Sequence, residues 1–201
     1  MRTVVACVLA VMGAMCGVRP SEHDFVACSS ATEPNRRVEA CSRILAFCEL
    51  NSDGCAATLA WRGEAKEALG DWAGAQRDYE ESLAIAPELG GTLLGLGRVH
   101  LAQDDLASAE RYLNRAIEVN DSGIGRDLLG GHALKRGDYE EALSRYEDLL
   151  ASQPDNPIGF FGRGLARLAT GDERGHHDIT HARAEWDGVD EHFGQRGLAA
   201  P

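Results

Sequence analysis

The chain has 201 residues, with 44% hydrophobic and 6% aromatic side chains, which suits one modest core plus a leader and is poor in the rings that strand sandwiches favour. Asp and Glu outnumber Lys and Arg by 32 to 20, for a net charge of −12, which disfavours nonspecific attraction to nucleic acid or to an anionic membrane surface. A charged partner would be basic, and the abundance of Ala, Leu, Glu and Arg predicts an all-α fold.

Arg2 precedes an apolar run from Val4 to Val18, the length of a signal-peptide core and short for a bilayer span. Residues 1–20 read as a signal peptide, so the mature chain is expected to be exported, periplasmic and without a membrane span. An uncleaved anchor is one alternative. A lipid-anchored form through Cys16 is another, although Gly13-Ala14-Met15 before it is a poor acylation signal.

With the leader removed, Cys28, Cys41, Cys48 and Cys55 remain. An even, clustered set in an exported chain points to two disulfides. Of the three pairings, Cys28 with Cys41 and Cys48 with Cys55 close the shortest loops, each worth roughly 2–3 kcal/mol. The spacing matches no common zinc finger. These cysteines fall in a predicted N-terminal cap, 21–55, whose segment Asn35 to Cys48 carries apolar Val38, Ile44, Leu45 and Phe47 and reads as one isolated helix.

Beyond it a helix-turn-helix pattern recurs four times. Gly63, Gly97, Gly130 and Gly164 follow one another at intervals of 34, 33 and 34 residues, each where a first helix must approach a neighbour closely. Turns fall in step at Gly70-Asp71, Asp104-Asp105, Gly137-Asp138 and Gly171-Asp172, a helix stop followed by a helix cap. Ala75, Ala109 and Ala142 mark the inner side of each second helix, with Tyr79, Leu113 and Tyr146 one turn on. In the fourth unit His176 takes the small residue's place.

On these residues, the segment 56–190 resembles the tetratricopeptide-repeat family. The units run 56–89, 90–122, 123–156 and 157–190, followed by a tail, 191–201, and a short helix is expected within Val189 to Leu198. Lys66, His100, Ala133 and Arg167 stand where the family places a large aromatic. The cysteine-tied cap further resembles exported alphaproteobacterial members of the family. The resemblance implies an α-solenoid whose first helices line a concave groove, with Glu64, Glu67, Leu94, Arg98, Asp127 and Phe161 projecting into it. Such a mix of acids and apolar anchors suits a peptide with apolar side chains and basic ends.

His177 and His181, four apart on a helix, form a weak metal candidate without a fixed third ligand. No phosphate-binding loop, nucleophile elbow or dinucleotide fingerprint is present. The expectation is therefore a non-catalytic interaction scaffold of the bacterial cell envelope, without cofactor, that binds a protein or peptide in its groove. Metal binding at His177/His181 and self-association are the alternatives.

Overall fold

The computed structural model describes residues 19–48 and 52–200. Residues 1–18 of the expected leader, Cys16 among them, lie outside the described residues. The described residues form helices and connecting turns, without strands.

The eleven helices among the described residues are α1 (Glu22–Ser30), α2 (Pro34–Leu45), α3 (Asp53–Ala68), α4 (Trp72–Ile85), α5 (Gly90–Ala102), α6 (Leu106–Asn120), α7 (Gly123–Arg136), α8 (Tyr139–Ser152), α9 (Pro157–Ala169), α10 (Arg174–Glu185) and α11 (Val189–Gly194). Consecutive helices pack pairwise, and α1, α3, α5, α7 and α9 each also touch the next first helix along. Consecutive second helices do not touch one another. A stack whose first helices converge while its second helices spread must curve around the first helices, which makes their shared face concave.

The turns explain the punctuation. Gly70, Gly137 and Gly171 adopt φ of 77°, 79° and 82°, and Asp104 takes the same left-handed place at φ 62°. Asp71 and Asp105 then cap the next helix by accepting hydrogen bonds from the amides of Gly74 and Ser108.

The core is built from small residues opposed to rings. Tyr79 lies between Gly63 and Gly95, and Tyr146 between Gly130 and Gly162. A Cβ at Gly63 or Gly130 would come within 2.8 Å of the facing ring. In the other two units Gly97 faces Leu113 and Gly164 faces Ile179. The fourth unit corrects the sequence reading by one residue. The small side chain that lets α10 approach α9 is the buried Gly175, against the Gly164 carbonyl, while His176 is exposed.

The missing aromatics also find a reason. Lys66 joins Arg62 on the buried Asp78, at 2.8 and 2.7 Å, and Arg167 joins Arg163 on the buried Asp178, at 2.6 and 2.8 Å. His100 stacks on Tyr112 with ring centroids 5.4 Å apart. Buried carboxylates with two cations each thus replace ring packing in the first and last units.

The N-terminal cap is a helix pair rather than the single helix expected. Helix α1 lies beside α2 and touches α3, repeating the relation of α3 to α4 and α5. Its start is fixed by a capping box in which Ser21 and Asp24 satisfy each other's backbone amides. Those bonds, with Arg43 at 2.7 Å, hold the Asp24 carboxyl down at a pKa of about 2. The disulfide Cys28–Cys41 ties α1 to α2, with Cα atoms 4.8 Å apart, and Cys48–Cys55 ties the end of α2 to α3, with Cα atoms 5.9 Å apart. Covalent links compensate for a satellite core as small as Ala27, Cys28, Ala40, Cys41 and Ile44.

Candidate functional site

The concave face is lined by side chains of the first helices, and it divides into an open half and a covered half. The expected groove residues fall on both sides of that division.

On the open half, Glu64 of α3 is exposed and meets Arg37 of α2 at 2.7 Å. Glu67, one turn further, accepts two bonds from the Arg98 guanidinium at 2.6 and 3.0 Å and one from the Tyr79 hydroxyl at 2.9 Å. Burial opposes the Arg98 charge, but Glu67 outweighs it and the guanidinium pKa rises. Burial, followed by Glu67, pushes the Tyr79 hydroxyl up as well. Leu94 of α5 is half-buried. Beside the Glu67–Arg98 pair lies an open cavity of about 350 Å³, walled by Trp72, Leu101, Leu128, His132 and Lys135 and bordered on the tail side by Arg196. Burial, then the nearby Arg136, lowers the His132 pKa, so the imidazole favours its neutral form there. The cavity therefore offers an apolar floor and a neutralised acid-base pair, a surface for hydrophobic contact with polar edges.

On the covered half, the structure corrects the expectation that Asp127 and Phe161 are free groove residues. Both are buried, at 3% and 0% exposure. Helix α11 and the tail lie over them. Phe193 places its ring 4.7 Å from that of Phe161 and 6.2 Å from that of Tyr146. Arg196 donates to both Asp127 oxygens at 3.0 and 2.6 Å, His192 lies 3.1 Å from Oδ2, and the Tyr146 hydroxyl donates to Oδ1 at 3.3 Å. Burial alone would raise the Asp127 pKa, but the bonds from His192 and Arg196 hold it below the usual carboxylate range.

The expected short helix in the tail is α11, and its reach differs from the expectation. It touches α9 and α10, and its side chains extend to α7. Sequence reasoning missed Trp72, Leu128, His192, Phe193 and Arg196 as site residues. The pairing of Arg196 with Asp127 spans 69 positions and leaves no periodic trace.

His177 and His181 line one shallow hollow with Phe160, Arg163, Arg167, Arg174 and Asp178. His181 packs edge-on against the Phe160 ring at 4.3 Å, and among the described residues no three His, Cys, Asp or Glu side chains form a metal-holding group.

A concave, helix-lined groove with paired charges is the architecture of an interaction repeat protein. Tetratricopeptide-repeat models match residues 54–122 and 128–173, more than half of the chain, and the chain belongs to that family. Protein FlbA of Caulobacter vibrioides is 30% identical over 151 residues, an alignment covering 57% of this chain and 25% of FlbA, so the chain spans about a quarter of that relative. Among solved structures, MamA superposes with a TM-score of 0.65 at 17% identity, over 89% of this chain and 96% of MamA. YrrB, a TPR protein with an unusual peptide-binding site, gives a TM-score of 0.60 at 20% identity, with 87% of each chain covered. At these identities the structural likeness speaks for the fold.

Proposed function

We propose that the chain is an exported, non-catalytic scaffold of the bacterial cell envelope that holds a segment of a partner protein along its concave face. The observation that carries this reading is the open cavity between α3, α5 and α7, where Trp72, Leu101 and Leu128 are gathered beside the Glu67–Arg98 pair. The peptide-binding site of YrrB, a protein of the same fold, supports it. Two disulfides fit an oxidising, exported setting, and no helix among the described residues is long and apolar enough to cross a membrane. Residues 1–20 serve as the leader in this reading, and the periplasm is the compartment.

The partner segment brings apolar anchors for the cavity and basic groups that answer the chain's overall net charge of −12. The test is capture from an envelope extract with the oxidised chain beside a Leu101→Glu/Leu128→Glu variant. A protein retained by the native chain and lost with the variant is the expected result. Equal retention by both forms would remove the groove as the site.

A second reading rests on Phe25 and Val26 of α1, 50% and 58% exposed at the N-terminal end of the solenoid. Such a patch suits self-association end to end. Sedimentation at rising concentration is expected to show a growing mass under this reading, and a constant monomer mass excludes it.

A further inference from the structure

The covered half of the groove identifies a ligand chemistry. The helices pair most of their own groove and core acids. Arg98 neutralises Glu67, Arg37 meets Glu64, Arg62 and Lys66 hold Asp78, and Arg163 and Arg167 hold Asp178. Asp127 differs. It is 3% exposed on the concave side of α7, and both the Arg196 guanidinium and the His192 imidazole that bond it come from the tail beyond the last repeat. A buried carboxylate that the repeats leave without a cation is a receptor for a guanidinium, since an unpaired charge there is costly and a bidentate arginine removes the cost.

The tail engages as a peptide ligand does, through a few anchors. Phe193 fills the slot between Phe161 and Tyr146, Arg196 clamps Asp127, and the Leu198 side chain lies over Gly131. Helix α11 has six residues, too few to persist alone, so these anchors hold it in place. Around the tail an open hollow of about 350 Å³ remains between Leu134, Tyr139, Leu165 and Leu198.

We propose that residues 189–200 are a resident ligand of the groove over α7 and α9, and that the same site takes a partner peptide carrying an aromatic side chain three residues before an arginine, which displaces the tail. This rests on the groove reading above and narrows it to Asp127 and the Phe161 slot. Because the site-competent state is populated only while the tail is released, apparent affinity for such a peptide is reduced by the closed fraction.

The test uses the full chain and a labelled synthetic peptide with the sequence of residues 187–200. Arg196→Ala weakens the resident tail, so the peptide is expected to bind this variant roughly tenfold more tightly than the native chain. Binding is expected to vanish when Asp127→Asn is added or when the peptide's own arginine is replaced by alanine. Equal affinity for both chains, or binding to neither, overturns the proposal. Native-state hydrogen exchange on the unaltered chain gives a second decision: α11 amides must exchange through an opening that leaves α9 and α10 protected. Exchange of α11 only with global unfolding would make the tail a fixed cap. Neither outcome depends on the Leu101→Glu/Leu128→Glu capture, so failure here and failure of the open-half reading are separable.

Discussion

The rings of Tyr79 and Tyr146 set the spacing of the first helices. Each sits between a glycine of its own unit and a glycine of the next, Gly63 with Gly95 and Gly130 with Gly162. In an exposed helix Gly→Ala gains up to about 1 kcal/mol, but here the added methyl collides with a ring that has nowhere to go. Gly95→Ala is therefore expected to lower unfolding free energy by about 1–3 kcal/mol in denaturant titration. Adding Tyr79→Leu, which imitates the Leu113–Gly97 contact of the second unit, is expected to cost less than the sum of the single changes. Asp104 presents the opposite case, a left-handed residue with φ 62° where the other turns use glycine. Asp104→Gly should raise stability by about 1 kcal/mol. A loss of stability there would show that the Asp104 side chain has a structural role.

At the scale of helices, the two ends are held by means other than repeat packing. The N-terminal pair depends on Cys28–Cys41, which closes a sequence separation of 13. Replacing both cysteines by alanine is expected to cost roughly 2–3 kcal/mol, with α1 losing amide protection before α3. Helix α11 depends on Asp127, which faces His192 and Arg196 of the tail and the Tyr146 hydroxyl of α8. Its folded pKa lies below the unfolded value of about 3.9. The stabilisation is thus complete above that value and is lost as pH falls through the folded pKa. Tail release, followed by α11 amide exchange, is expected to rise below about pH 4, and Asp127→Asn should remove that acid step. The repeat helices and their turns were legible because glycine spacing, turn residues and Ala-Tyr pairs are local and periodic. Helix α1 was not, because Glu22–Ser30 is short and its buried face is only Asp24, Ala27 and Cys28. The covering of Asp127 and Phe161 was illegible for a different reason: it joins residues 65 and 69 apart through a tail with no repeat signature.

The whole molecule is a curved stack whose inner face carries both its open cavity and its own tail. Glycine-rich α5 and α7 occupy the middle of that stack, and the helix propensity forgone there, about 1 kcal/mol per glycine, makes this stretch the expected soft region. Slower hydrogen exchange in α5 and α7 than in α3 and α9 would contradict that. A soft centre beyond the disulfide-tied N-terminal end allows the curvature of the groove to adjust to a bound segment. The family and the solenoid follow from the repeats, and the use of the concave face is the central claim. Its most direct measurement is photo-crosslinking in cells, with benzoylphenylalanine at Leu128 on the inner face or at exposed Arg111 on α6. One discrete crosslinked partner from position 128 and none from position 111 is the expected result. The same product from both positions, or from 111 alone, would place binding on the outer surface and contradict it.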